Sequence, residues 1–330
     1  LGDVYKRQRR VTASTAAAIA AELSAATAVT ILCHVRPDAD TIGSGLALGL
    51  ALDRMGTDVE VAYPGNEALP AVLGELPGRK LLVGESEVRG HPVVVSVDAA
   101  TVDRLESLAS VFGSARKTIT IDHHASNVGF GDLDFIDPHA DCTATLVLQV
   151  LDGLRVDLDV DVATCLYAGL TTDTGSFKWA RPESFRIAAR LLDTGVDARR
   201  WSRALFDTHP FAWFGMMSEV LGSARLEPSA CNGEGLVYAV VDQHALAGMS
   251  WSESESVVDI VRTAVEAEVA AVFKEIAPGR WTVSLRSKDI VDLVPIARAH
   301  GGGGHRQASG YSDEGTADEV VARLVESLRP

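Results

Sequence analysis

Cysteine is scarce: Cys33, Cys142, Cys165 and Cys231 are the only four, and none stands in a C-x-x-C pair. A zinc ribbon and a disulfide framework are therefore not encoded, and a reducing cytoplasm is the expected compartment. No stretch approaches the roughly 18 uninterrupted apolar residues of a membrane span, so no membrane partner is expected. Positive charge is also short, since 30 Lys and Arg stand against 45 Asp and Glu, a net charge of −15. Binding to long nucleic acid rests on Lys and Arg neutralising many phosphates, which argues against a long duplex as partner. An anionic substrate would need local help, and divalent metal ions can make a carboxylate-rich cleft attract phosphate. What is present is an ordinary globular composition, 47% hydrophobic and 23% charged over 330 residues. That length predicts about two domains, each with its own core.

Near the N-terminus, Lys6, Arg7, Arg9 and Arg10 precede an Ala-rich stretch that imitates a signal peptide. Glu22 interrupts the stretch, and Ile19, Leu23 and Ala26 at helical spacing describe an amphipathic first helix instead. Residues 1–8 are expected to be a non-native tail and are set aside. Residues 9–200 alternate short β-branched runs with helical patterns, as in a parallel α/β sheet. Val29 to Cys33, Val59 to Tyr63, Val93 to Val97 and Thr118 to Ile121 read as strands; Leu46 to Met55, Ala144 to Leu151 and Val162 to Leu170 read as helical faces. Residues 201–228, rich in aromatics and Met, read as a helical connector. Within it Trp201, Phe206, Phe211, Trp213 and Phe214 suit packing better than base stacking, because no basic track adjoins them. Residues 229–330 read as a smaller α+β domain, with a Gly-rich turn between its last two helices.

Several expected strands end in His or carboxylate, and in open α/β sheets ligands bind beyond the carboxyl ends of the strands. The first such motif is His34-Val35-Arg36-Pro37-Asp38-Ala39-Asp40, where Pro37 keeps the segment out of the helix that follows. Asp40 or Thr41 could simply cap that helix, with Asp38 in a solvated turn, but capping does not explain His34. Asp98 ends the apolar run Val93 to Val97, where a turn residue is the plainer alternative. Asp122-His123-His124 follows Thr118 to Ile121, and Asp173 lies in Thr171-Thr172-Asp173-Thr174-Gly175 after a helical pattern. A polar turn and a helix-ending turn would account for each alone. Gly301-Gly302-Gly303-Gly304-His305 stands between a helix and a strand, where a linker is the usual reading of glycines. Together the motifs outweigh their separate alternatives. His34, Asp38, Asp40, Asp98, His123 and Asp173 supply enough ligands for two metal ions if one carboxylate bridges, and imidazole with carboxylate suits Mn better than zinc. Two-metal sites activate water and stabilise in-line displacement at phosphorus.

The order His-x-x-x-Asp-x-Asp, Asp after a strand, Asp-His-His, Asp, and Gly-Gly-Gly-His resembles the DHH phosphoesterases that carry a C-terminal DHH-associated domain. The resemblance covers nearly all of residues 29–312, and the segment from Thr172 to Phe177 is most similar to the nano-RNase and pAp phosphatase branch. It implies an α/β fold, a parallel-sheet catalytic domain followed by the smaller α+β domain, with the active site in the cleft between them. It implies two divalent ions, most simply Mn: His34 and Asp38 hold one, Asp40, His123 and Asp173 hold the other, and Asp98 bridges. Asp122 would orient His123, and His124 would face the scissile phosphate. Arg286, His305 and the glycines Gly302, Gly303 and Gly304 would bind substrate phosphate. The implied substrates are short RNA or a dinucleotide such as pApA, the bisphosphate pAp, and cyclic di-AMP, and a homodimer is implied as well. A manganese-dependent pyrophosphatase, a single-strand exonuclease of the same superfamily and a nucleotide-binding module without turnover are the competing readings. The Gly-Gly-Gly-His segment counts against the first, length and acidity against the second, and the full ligand set against the third.

Overall fold

The computed structural model of the chain describes residues 14–65, 68–246, 249 and 251–329. The expected tail at 1–8 lies outside the described residues. The chain divides into two compact units, 1–208 and 209–330.

The first unit runs α1 (Ala16–Ser24), β1 (Ala28–Leu32), α2 (Ala39–Arg54), β2 (Asp58–Ala62), β3 (Val93–Val97), α3 (Ala109–Ser114), β4 (Lys117–Asp122), β5 (Leu133–Ile136), α4 (Thr143–Leu154), α5 (Val160–Asp173), α6 (Pro182–Leu192) and α7 (Ala198–Phe206). The strands form one parallel sheet in the order β2-β1-β3-β4-β5. β3, Val-Val-Val-Ser-Val, is buried at every position, as expected of a central strand covered on both faces. The strand order reverses between β1 and β3, which makes the carboxyl ends of these two strands the place where connections leave in opposite directions and open a crevice. Small residues let the helices close on that crevice. A Cβ on Gly43 of α2 would overlap the Cys165 carbonyl of α5, and one on Gly169 of α5 would collide with the Asp40 carboxylate.

The second unit runs α8 (Ala212–Gly222), β6 (Arg225–Glu227), β7 (Leu236–Val241), α9 (Val257–Val261), β8 (Val269–Ala277), β9 (Arg280–Ser287), α10 (Leu293–Ala299), β10 (Gly303–His305), β11 (Ala308–Glu314) and α11 (Ala317–Ser327). Its sheet has the order β10-β11-β9-β8-β7-β6, with β7 and β8 parallel and the other pairs antiparallel. Successive strand residues point to opposite faces. Val269, Ala271 and Phe273 therefore pack with Leu293, Val320 and Leu324, whereas Ala270 and Val272 pack with Met216, Val220 and Val257. The stretch expected as a helical connector at 201–228 is divided: α7 closes the first unit, α8 opens the second, and β6 is a strand paired with β7. The aromatic cluster splits likewise, since Trp201 joins the first core while His209 stacks on Trp213 with centroids 4.2 Å apart.

Candidate active site

The turn after β1 is tied on both sides. Asp38 caps α2, accepting the N–H groups of Asp40 and Thr41 at 3.0 Å each, so the cap falls to Asp38 rather than to Asp40 or Thr41. Thr41 Oγ1 accepts the His34 N–H at 3.3 Å and donates to the Val97 carbonyl at 3.1 Å, fixing this turn to the end of β3. His34 Nδ1 lies 2.8 Å from the Val35 carbonyl and 3.0 Å from the Arg104 guanidinium. Its Nε2 is the nitrogen turned to the carboxylates, 3.5 Å from Asp38 Oδ2 and 3.5 Å from Asp98 Oδ2. Burial and Arg104 act to lower the His34 imidazole, but pairing with Asp38 and Asp98 outweighs them and raises it above its ordinary value. Burial likewise opposes ionisation of Asp38, and His34 with the Thr41 N–H holds its carboxyl low.

Asp98 follows β3 with φ of 60°, a left-handed backbone that is uncommon for a non-glycine residue and recurs at functional sites. Its N–H donates to the Ile121 carbonyl at 2.9 Å, which explains how the conformation is held. One oxygen faces His34 and the other accepts from Thr143 Oγ1 at 2.9 Å while lying 3.5 Å from His123 Nε2. The carboxylate therefore stands between two imidazoles contributed by different strands.

At the end of β4 the structure corrects one expectation. Asp122 orients His124, not His123: its Oδ1 is 2.7 Å from His124 Nδ1, and its Oδ2 accepts from Asn127 Nδ2 at 2.7 Å. Beyond the strand Asp122 pairs with His124, while the His123 ring meets the His124 ring edge-on with centroids 4.9 Å apart. His123 Nδ1 lies 3.4 Å from the Ala140 carbonyl, and its Nε2 is 3.3 Å from Asp173 Oδ2 at the last residue of α5. Burial works against the charged form of both groups in the Asp122–His124 pair, yet mutual attraction lowers the Asp122 carboxyl and raises His124 to about 9. Burial and His124 together lower His123.

Asp40 is fully buried and reaches across from α2 to the start of α4, where it accepts the N–H groups of Thr143 at 2.6 Å and Ala144 at 2.9 Å. It thus satisfies donors of a helix whose own Cys142 N-cap makes no side-chain hydrogen bond. Burial, then Asp98 and Asp38, push its carboxyl well above the ordinary range.

The donor set fits a divalent cation. His34, Asp38 and Asp98 offer one ligand atom each within 4.8 Å of one another, and so do Asp40, Asp98 and His123, with Asp98 common to both groups. Nitrogen and oxygen donors without a thiolate favour a cation such as Mn or Mg over zinc. The buried Cys33 and Cys142 thiols are pushed upward by burial and stay protonated. The His34 and His123 imidazoles both have Nδ1 near a backbone carbonyl and Nε2 toward carboxylate, the arrangement in which an outer hydrogen bond aims a ligand nitrogen. A cation there would also offset the buried negative charge at Asp40.

In the second unit, the Gly-rich segment is neither linker nor simple turn. Gly303–His305 is strand β10, and a Cβ on Gly302 or Gly304 would overlap the backbone of β11. Arg286 and His305 both lie opposite Ala308 in register, so they share one face of the sheet with a small residue between them. At about 4.8 Å per strand their backbones are about 10 Å apart. Arg286 Nη1 donates to the Leu285 carbonyl at 3.1 Å, and its Nε is 4.0 Å from Asp259.

Three contributors to the site escaped sequence reasoning. Asn127 carries a turn signal two residues ahead of Gly129, whereas Arg104 and Thr143 reach His34 and Asp98 across the fold from segments with no local motif.

Residues 28–170 match the DHH family, N-terminal domain, and residues 233–329 match the DHHA1 domain. A bifunctional oligoribonuclease and PAP phosphatase NrnA of Thermus thermophilus is 34% identical over 91% of this chain and 88% of its own. A probable bifunctional oligoribonuclease and PAP phosphatase NrnA of Streptococcus mutans is 27% identical over 91% of this chain and 94% of its own. Among solved structures, an exopolyphosphatase-related protein from Bacteroides fragilis is 24% identical, with a TM-score of 0.81 over 94% of this chain and 96% of its own. That last likeness is one of fold.

Proposed function

The chain belongs to the DHH family of phosphoesterases, and we propose that it hydrolyses short oligoribonucleotides such as pApA and the 3',5'-bisphosphate pAp, with cyclic di-AMP as a further substrate. The observation that carries this reading is the Asp98 carboxylate, held between His34 and His123 with one oxygen toward each. Two divalent ions, Mn by preference, would supply an activated water and stabilise charge developing on the phosphoryl oxygens. His34 and Asp38 would hold one ion, Asp40, His123 and Asp173 the other, and Asp98 would contribute an oxygen to each. His124, its Nδ1 fixed by Asp122, presents the opposite ring nitrogen as a donor to the phosphoryl group. Arg286 and His305 bind substrate phosphate from the second unit. The net charge of −15 disfavours a polynucleotide lying along the rest of the surface.

The test is product analysis after incubation with Mn and, in parallel, pApA, pAp, cyclic di-AMP, a long RNA and pyrophosphate. AMP from pApA and pAp with the long RNA intact is the expected result. Phosphate from pyrophosphate alone would overturn the reading, and so would tight binding of pAp in the presence of Mn with no product.

A further inference from the structure

The segment after Asp173 has a use that metal holding does not account for. Gly175, Ser176 and Phe177 have φ of 54°, 59° and 66°, three left-handed residues in succession, two of them not glycine. Such runs persist only where surrounding bonds over-determine them. Here the Gly175 N–H donates to the Thr172 carbonyl at 2.9 Å, the Ser176 N–H to the Thr171 carbonyl at 2.8 Å, and the Phe177 N–H to Thr174 Oγ1 at 3.2 Å. Phe177 turns inward toward Tyr167 and Phe185, with centroids 6.3 and 5.5 Å away. The chain reversal returns Trp179 onto the turn, where its Nε1–H donates to the Asp173 carbonyl at 2.7 Å. Its six-membered ring rests on Gly175 so closely that a Cβ there would overlap it.

Trp179 is thus fastened by its one donor and by ring contact, and is still 45% exposed. Core packing does not explain an aromatic ring fixed this firmly at the surface. The residue to which it is fastened, Asp173, lies 3.3 Å from His123 at the candidate metal centre, and the neighbouring Lys178 is exposed. An exposed aromatic ring is the surface that receives a nucleobase by stacking, without regard to which base it is.

We propose that Trp179 is the base-stacking subsite for the nucleotide whose phosphate is cleaved. This rests on the reading of the preceding section. It assigns the aromatic platform to the first unit, in place of the cluster around Trp213.

The experiment compares wild type, Trp179→Ala and Trp179→Phe on pAp and on tetrahydrofuran 3',5'-bisphosphate, which keeps sugar ring and phosphates without a base. Trp179→Ala is expected to raise KM for pAp about 10-fold to 100-fold with little change in kcat, as loss of one base–aromatic stack implies. It should leave KM for the base-free compound unchanged, and Trp179→Phe should recover most of the loss. Indole fluorescence read during AMP titration should be quenched in wild type, with most of that quenching gone in Trp179→Phe. An equal loss on both compounds, or a fall in kcat alone, would make Trp179 only a support for Asp173 and overturn the proposal. Wild-type protein that turns over neither compound overturns the hydrolase reading instead, while quenching that persists in Trp179→Phe overturns this one.

Discussion

The parallel sheet of the first unit carries two buried acidic clusters, and their difference separates a structural carboxylate from one able to hold a cation. In the middle of β2, Glu60 is 1% exposed and accepts from Thr30 Oγ1 at 2.7 Å, the Gly90 N–H at 3.0 Å, and the Arg89 N–H and Nε–H at 3.1 Å each. Arg89 also forks onto Asp58 at 2.8 and 2.9 Å. Protein donors satisfy both Glu60 oxygens, as burial of a charge demands. At the carboxyl ends of the strands, Asp98 faces His34 and His123 at 3.5 Å, beyond the range of a good N–H···O bond. Asp38, Asp40, Asp122 and Asp173 crowd the same place. The first cluster is complete as folded; the second has ligand atoms aimed at a common space.

The largest effect should come from the second cluster. Asp98→Ala is expected to reduce turnover of pAp to background while circular dichroism stays native, because each donor group loses the carboxylate common to both. Saturating Mn should raise the melting temperature of wild type, since a ligand at about 100 times its Kd stabilises by about 2.7 kcal/mol. The rise should vanish in Asp98→Ala and persist in Glu60→Ala. Undiminished turnover in Asp98→Ala would remove the bridging assignment.

Asp122→Asn probes the same end of the sheet one step farther out. The variant keeps a hydrogen-bonding group beside His124 but removes the charge that holds the imidazole. Activity should fall about 10-fold to 100-fold, the usual consequence of losing a partner that orients a site residue. A smaller loss for Asp122→Asn than for Asn127→Ala would mean that the Asn127 bond, not the charge, fixes this loop.

How much of this was legible in the sequence depended on burial and on distance along the chain. β1, β3 and β4 were legible because strands covered on both faces are written as unbroken apolar runs, and the polar residues just beyond them mark their ends. β5, β6 and β10 were not, because they are edge or near-edge strands of three or four residues rich in Asp, Arg or Gly. The Gly-rich segment was misleading for a physical reason: its glycines serve close backbone approach to β11, and sequence does not distinguish that use from flexibility. Six metal-ligand candidates could be named from the ends of strands and of one helix. That Asp122 serves His124, and that Thr143 and Arg104 reach the centre, depends on directions and contacts set by the fold.

Glu60→Ala should cost stability rather than activity. It leaves the Thr30 hydroxyl and the Gly90 and Arg89 N–H groups without their acceptor, while the half-exposed Arg89 side chain can turn to water. The expected loss is about 3 kcal/mol, or roughly 10 °C in melting temperature, with kcat on pAp unchanged. A variant that melts with wild type yet loses activity would erase the distinction between the two clusters.

The smallest effect is in pH. Burial alone would raise the Glu60 carboxyl, but the hydrogen bonds from Thr30, Arg89 and Gly90 outweigh it and hold the group below its ordinary value of 4.5. A carboxyl lowered on folding contributes stability that is fully present above its unfolded value and is lost as pH falls through its folded value. The stability gap between wild type and Glu60→Gln, measured by urea unfolding, should therefore be constant from pH 7 to about 5.5 and narrow below about 4.5. Asp58, which Arg89 also holds low, and His91 face the same carboxyl but are present in both proteins, so to first order they drop out of the difference. A gap that stays constant down to pH 3.5 would show that the anchored species is not the ionised carboxylate, and the contrast with Asp98 would then rest on geometry alone.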